Sequence, residues 1–323
     1  MQASSETEIR RLRQSGLLVL DKPEGWSSAQ AVGRIKGLLG ARKAGHAGTL
    51  DPFATGVLVC MLNQATRLGR FLLAGEKAYT AVLHLGIETD TQDATGNIVE
   101  RRPVDAGIEN CIADTFRRFE GLIDQAPPVY SALKHKGVPL YKLARRGQPV
   151  QKPARRVHIT ALQIEAVELP QVRFQVSCSA GTYIRSLCAD IGRELGCGGH
   201  LSRLRRTYSS GFGLEAAISL DELETRVRQG RLGNRLISPV AALPGMPTLV
   251  ADGAAVRKIS NGMRLATGDL PPPESQQADL KGRDDGPYYK IIDSQERLLA
   301  VVTFQPHEQM YHYCCVFPQT NAA

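Results

Sequence analysis

The chain has 323 residues, 42% of them hydrophobic, enough for about two domains, and its apolar runs are of strand length, short of the roughly 20 residues a helix needs to cross a bilayer. Seven cysteines, an odd number with no Cys-x-x-Cys pair, argue against a disulfide framework or a zinc site. A formal charge of +8 and a pI near 9.2 point to a polyanionic partner, and residues 1–8 hold no apolar core of a secretory signal, so the expected location is the cytoplasm.

Residues 1–15 read as a polar arm. Gly16-Leu17-Leu18-Val19-Leu20-Asp21-Lys22-Pro23 predicts a strand running into a turn, because Pro23 has no N–H to donate. Ala29, Val32, Ile35 and Leu38 recur at a helical period over residues 27–39, with Ser27 or Ser28 as N-cap. Next comes Gly45-His46-Ala47-Gly48-Thr49-Leu50-Asp51-Pro52-Phe53-Ala54-Thr55-Gly56, a glycine-bracketed loop with one carboxylate, Asp51, five residues after His46. Glycine lets the backbone approach a ligand closely, and the apolar run over 57–62 predicts a buried strand that holds the loop firmly. A plainer reading makes Asp51 a helix cap, with Pro52 at the first helical position. The local pattern is compatible with both.

Residues 65–73 read as a short helix ending at Gly75, and residues 79–85 alternate as a strand. The acids of residues 88–96 do not match an EF-hand spacing and read as a polar turn. A helix is expected over 111–119, a strand over 172–179 and a helix over 182–195. From about residue 247 the character changes. A mixed lead-in over 248–265 precedes a proline- and glycine-rich loop over 268–287, then strands within 288–304 and 310–317. This predicts a small β-rich module (247–323) after a larger domain (16–246).

Between Gln125 and Arg156 stand eight basic residues, Lys134, Lys136, Lys142, Arg145, Arg146, Lys152, Arg155 and Arg156, with Tyr130 and Tyr141 interleaved and no acid. The segment carries +8 by itself, so the remainder of the chain sums to zero. A concentrated charge with aromatic residues suits RNA phosphates, although lysines and arginines also form ordinary solvated faces. Arg203, Arg205 and Arg206 are expected to extend the same surface.

The Asp51 run resembles the catalytic motif of the TruB family of tRNA pseudouridine synthases. Four further blocks match that family in chain order: Leu20-Asp21-Lys22-Pro23, Glu76-Lys77-Ala78-Tyr79-Thr80-Ala81, the run from Gly181 through Tyr183 and Arg185 to Gly192, and His200-Leu201-Ser202-Arg203-Leu204-Arg205-Arg206. Pro127-Pro128-Val129-Tyr130-Ser131-Ala132-Leu133-Lys134 resembles the family's RNA-clamping insertion. The match spans about residues 16–212, and the terminal region resembles a PUA-type RNA-binding module more loosely. The resemblance implies an α+β pseudouridine synthase fold with a mixed, largely antiparallel central sheet flanked by helices. It implies isomerisation of uridine to pseudouridine in the T-loop of tRNA, at uridine 55, with no cofactor, no metal, no membrane and no obligate protein partner for a monomeric enzyme. Asp51 would be the catalytic carboxylate, as nucleophile or base. Arg185 would pair with it, Tyr79 would stack on the uracil, Tyr183 and Leu204 would line the pocket, and His46 would fill the space left by a flipped nucleotide. A guide-dependent subunit like dyskerin and a non-catalytic RNA-binding or RNA-folding protein are the alternatives.

Each lysine or arginine that reaches a phosphate steepens the salt dependence of binding. If roughly four of the eight do so, the segment supplies a log–log slope of about −3, at −0.7 to −0.9 per contact. Replacing Lys134, Lys136, Arg145 and Arg146 with alanine should flatten that slope and weaken tRNA binding, while single-turnover rates at saturating tRNA change less. Binding isotherms at several salt concentrations check this, and an unchanged slope would reduce the segment to a solvated face.

Overall fold

The computed structural model describes residues 15–270, 281–282 and 286–318. The predicted arm over residues 1–15 therefore lies almost wholly outside the described residues, as does most of the predicted loop over 268–287.

The larger sheet begins with β1 (Gly16–Lys22), followed by α1 (Ser28–Leu38), β2 (Ala44–His46), β3 (Thr55–Leu62), α2 (Gly69–Ala74) and β4 (Lys77–Leu85). A small hairpin, β5 (Ile87–Thr89) and β6 (Ile98–Arg101), leads to α3 (Glu109–Arg118) and β7 (Gly121–Gln125). The basic segment holds a short hairpin, β8 (Lys134–His135) and β9 (Val138–Pro139), and one helical turn, α4 (Leu140–Ala144). The chain returns through β10 (Arg155–Glu168), β11 (Gln171–Cys178), α5 (Ile184–Glu194), β12 (Gly199–Ser209), β13 (Phe212–Gly213) and α6 (Leu220–Arg228). The sheet runs β1-β3-β12-β4-β11-β10-β7, with β2 added to β3 and β13 to β12. Within this sheet, among the described residues, β3 and β12 are the only strands that pair in parallel. This is the mixed, largely antiparallel sheet expected.

Its two faces follow from the period of two along each strand. Leu18 and Leu20 of β1, with Leu58, Cys60 and Leu62 of β3, point to one face. There they meet Ala31, Val32 and Ile35 of α1, Ile112 and Phe116 of α3, and Ile184, Leu187, Cys188 and Ile191 of α5. Leu17, Val19, Val57, Val59 and Met61 point to the other face and pack on Leu68 and Leu72 and on Leu298, Val301 and Phe317 from the chain's end. Burial on both faces is why these strands read as unbroken apolar runs rather than alternation. Each fully buried leucine or isoleucine contributes about 1.5–3 kcal/mol. The helix ends follow local chemistry. Ser27 caps α1 in a reciprocal capping box with Gln30, and Gly75 ends α2.

The terminal part builds a second sheet from β14 (Thr248–Val250), β15 (Leu265–Ala266), β16 (Lys281–Gly282), β17 (Gly286–Ile292), β18 (Leu298–Gln305) and β19 (Met310–Val316), in the order β14-β17-β18-β19-β15 with β16 on β17. The mixed lead-in resolves into β14, then α7 (Gly253–Ser260), capped by Asp252, then β15. This sheet has its own apolar cluster, including Leu249, Ile259, Ile291, Leu299, Val302 and Tyr311.

The alternation did not reveal β10 or β12. β12 is rich in arginine and carries register shifts between Leu201 and Arg203 and between Arg206 and Tyr208, which break its period. Its pairing with β3 nevertheless sets the Asp51 loop, because Arg206 lies opposite Gly56. Gly56 has φ +99°, and a Cβ there would stand 2.2 Å from the Arg206 carbonyl oxygen. Gly56→Ala should therefore destabilise the protein by about 2–4 kcal/mol, from left-handed strain and overpacking together. Chemical denaturation measures this, and a stability loss under about 1 kcal/mol would show that the contact yields easily.

Candidate active site

Asp51 sits in the loop between β2 and β3, and buried side chains hold that loop at nearly every step. Ser28 takes Leu50 from both sides: its Oγ accepts from the Leu50 amide at 2.8 Å and donates to the Leu50 carbonyl at 3.0 Å. Lys22, fully buried, donates from Nζ to the carbonyls of Trp26 at 2.7 Å, Pro23 at 2.8 Å and Pro52 at 3.2 Å. The Gly25 amide donates to the same Pro52 carbonyl at 2.8 Å, and the Ala54 amide closes a turn on the Asp51 carbonyl at 3.1 Å. Arg206 ties the two ends together, donating from Nε to Val57 at 2.7 Å and from Nη2 to Gly48 at 3.0 Å. Residues 52–53 form a turn, not a helix, so Asp51 is no helix cap.

The carboxylate faces Arg185 in the first turn of α5. Nε of Arg185 lies 3.0 Å from Oδ2 of Asp51, and Nη2 lies 3.5 Å from Oδ1. The same guanidinium reaches Oδ2 of Asp93 at 3.4 Å, and it donates to the carbonyls of Thr91 at 3.0 Å and Tyr130 at 2.9 Å. Asp93 is fixed in turn by the hydroxyls of Thr91 at 2.8 Å and Thr95 at 2.6 Å and by the Thr95 amide at 2.9 Å. Burial raises the Asp51 carboxyl above the usual range, and the Asp93 charge adds to the rise; Arg185 and, more weakly, Lys22 oppose it.

The other residues singled out from sequence gather around this pair to different degrees. Tyr79 is buried on β4 with β11 and β12 on either side, and its phenol bonds Arg206. Burial pushes its pKa up despite that cation. His46 ends β2 opposite Cys60; burial and the nearby Arg206 charge lower its pKa, so the ring is neutral at pH 7. Its Nδ1 is buried without a hydrogen-bond partner among the described residues. Tyr183 is the N-cap of α5, two residues before Arg185, and Leu204 lies on β12 opposite Ala81, packed partly against the main core.

The sequence reading missed two participants. Asp93 reads in the sequence as part of a polar turn, yet it is 3% exposed and faces the guanidinium. Its flanking threonines were the available signal, since they hold a carboxylate turned inward. Arg206 was placed on the RNA surface, but it is 1% exposed and spans the loop. Arg205 pairs with Asp21 through both terminal nitrogens, at 3.0 and 2.7 Å, leaving Arg203 as the exposed arginine of the three. Among the described residues no group of three or more His, Cys, Asp or Glu side chains could hold a metal ion.

A carboxylate can serve as nucleophile or base only when ionised, so any activity that uses Asp51 in either way should rise with pH through its pKa. Arg185→Gln removes the cation that lowers this pKa, and the acid limb of the pH–rate profile should move to higher pH. Asp93→Asn removes a like charge and should move the limb to lower pH. Single-turnover rates against pH test both, and shifts in the same direction would contradict the arrangement.

Two family models match in sequence. One, described as the TruB family pseudouridylate synthase N-terminal domain, covers residues 36–184, and one described as the tRNA pseudouridylate synthase B C-terminal domain covers 185–243. The chain is 43% identical over 292 residues to a tRNA pseudouridine synthase B of Syntrophotalea carbinolica, covering 90% of this chain and 92% of that protein. It is 44% identical over 295 residues to the protein of that name from Ralstonia pickettii, covering 90% and 91%. Among solved structures, an H/ACA ribonucleoprotein bound to a substrate RNA containing 2'-deoxyuridine aligns with TM-score 0.69 and 27% identity, over 96% of this chain and 84% of that one. With both family models in register and relatives this similar along nine-tenths of its length, the chain belongs to the TruB family of pseudouridylate synthases.

Proposed function

We propose that this protein isomerises uridine to pseudouridine in tRNA, at uridine 55 of the T-loop. The observation that carries the reading is Asp51, held on a fully braced loop against Arg185 beside the buried Tyr79, in a chain 43–44% identical to proteins named tRNA pseudouridine synthase B. In the reaction the C1'–N1 bond breaks, C1'–C5 forms, C5 loses a proton and N1 gains one. Atoms and electrons balance within the substrate, so no co-substrate is consumed. Asp51 supplies the carboxylate, as nucleophile at the nucleotide or as base toward a sugar proton. Arg185 keeps it ionised and aimed. Burial holds the Tyr79 phenol protonated, which suits a stacking surface better than a base. The neutral His46 occupies the room left by the flipped nucleotide, offsetting an unstacking cost of a few kcal/mol. Tyr183 and Leu204 complete the pocket wall.

Residues 16–246 then make up the catalytic domain with its RNA-clamping insertion over 125–156, and the terminal sheet belongs to an RNA-binding module. The protein works in the cytoplasm as a monomer. Similarity to a protein of the H/ACA particle favours one other reading, a guide-dependent subunit. Against it stands the insertion, whose Lys134, Lys136, Lys142, Arg145 and Arg146 are all exposed and form no ion pair among the described residues, leaving them free for phosphates.

Incubating the purified chain with an unmodified tRNA transcript and mapping pseudouridine should locate one new residue in the T-loop; no product without added protein or guide RNA would favour the second reading. Asp51→Asn should abolish product while tRNA affinity changes less than about tenfold, since phosphate contacts dominate affinity. A carboxyl raised by burial contributes stability below its unfolded pKa and loses it as pH rises through the folded one. At neutral pH the charged Asp51 therefore opposes folding, and the variant should melt at the same temperature or higher. A lower melting point would mean that the Arg185 pairing outweighs burial.

A further inference from the structure

Two arginines that sequence assigned together to the polyanion surface have different surroundings. Arg155 and Arg156 open β10, and adjacent strand residues point to opposite faces. Arg156 is exposed and lies 3.7 Å from Asp124. Arg155 is half-buried, on the strand face it shares with the buried Val157 and Ile159. Its Cζ stands 5.2 Å over the centroid of the Tyr183 ring, and its Nη2 donates to the Gly181 carbonyl. Its Nε is buried without a hydrogen-bond partner, and no carboxylate pairs with it among the described residues. A guanidinium lying over an aromatic face is held by the ring quadrupole rather than by an acid. Gly181 makes room for it: at φ +91°, a Cβ there would come within 3.1 Å of Nη2.

The partner of Arg155 across the β7–β10 ladder is Gln125, and Gln125 grips the same tyrosine from its backbone. Gln125 is 1% exposed; its Oε1 accepts from the Tyr183 amide at 2.7 Å and its Nε2 donates to the Tyr183 carbonyl at 3.0 Å. This rung is where residues 126–154, the basic insertion, leave the sheet and re-enter it. The next residues of α5 are tied to the insertion's root as well, Arg185 to the Tyr130 carbonyl at 2.9 Å and Ser186 Oγ to the Ala126 carbonyl at 3.2 Å.

We infer that Arg155 is a positioning residue rather than a phosphate contact, and that with Gln125 it fixes Tyr183 in the base pocket from the rung that anchors the RNA-clamping insertion. The inference rests on the reading of Tyr183 as pocket wall. It adds that the insertion's root and the pocket share one rigid connection, so RNA gripped by the insertion meets a tyrosine whose ring and backbone are already set.

The test is Arg155→Ala in the full-length protein. Its single-turnover rate on tRNA should fall about 10- to 100-fold, the range that small misplacements of a reacting group produce. The dissociation constant should stay within about threefold and the log–log salt slope should not change, whereas a lost phosphate contact would flatten the slope by about 0.7–0.9. Arg155→Lys keeps the charge but not the planar face, and should recover only part of the rate. In a Tyr183→Ala background, adding Arg155→Ala should change the rate less than about twofold, because the two side chains act as one unit. A flattened slope with an unchanged rate, or fully independent effects of the two substitutions, would overturn the inference. Hydrogen exchange in the free protein gives a readout independent of activity. Amides 181–184 should exchange faster in Arg155→Ala and not elsewhere in α5, and unchanged exchange would also overturn it. If the unsubstituted chain formed no pseudouridine, the parent reading would fail while the exchange measurement still decided whether Arg155 holds Tyr183.

Discussion

Arg185 carries a permanent positive charge into the protein interior, and the surrounding structure is arranged so that this charge is never left unpaired. Every nitrogen of its guanidinium has a partner: two carboxylates, Asp51 and Asp93, and two backbone carbonyls, from Thr91 and Tyr130. Removing the guanidinium itself would leave two carboxylates facing each other without a counter-charge, a loss that typically costs about 3–5 kcal/mol in a buried set. The helix α5, the turn carrying Asp93, the loop carrying Asp51 and the start of the basic insertion are therefore fixed relative to one another through a single side chain. The same pairing sets the chemistry. Burial inclines Asp51 to hold its proton, and the guanidinium opposes that rise and so favours the ionised form.

Arg206 performs a second, mechanical task in the same interior. It stands on the one parallel strand pair of the sheet, crosses beneath the loop and bonds the carbonyls of Gly48 and Val57 while meeting the Tyr79 phenol. Lys22 and Ser28 brace the loop from the other side. The three anchors come from β1, α1 and β12, so the loop's shape is a property of the assembled sheet. Gly56 is the corresponding steric requirement, the point at which β3 passes too close to the Arg206 backbone for any side chain.

The terminal sheet also shares the main architecture. Leu298, Val301 and Phe317 pack with Leu17, Val19, Val57 and Val59, so the strand behind the Asp51 loop is covered on its far face by residues more than 200 positions later. The fully buried faces of β1 and β3 give the loop a stiff base on both sides, which suits a carboxylate that must be positioned before substrate arrives.

The sequence by itself determined the local elements and the chemical vocabulary. Continuous apolar runs specified β1 and β3, a 3.6-residue period with a serine cap specified α1, and the spacing from Gly45 through Asp51 to Gly56, with the blocks around Tyr79 and Arg185, specified the family. Those signals are short in range: a period, a cap or a motif is read within about a dozen residues. What the tertiary structure alone decided was which charges face inward. Asp93 looks like one acid in a solvated turn, Arg206 like one base of an RNA-facing surface, and Arg155 like its neighbour Arg156. Their fates depend on partners 92, 158 and 26 positions away, at Arg185, Gly48 and Gly181. A charged side chain carries no local mark of burial, because its placement is settled by pairing energy available only once distant elements have packed.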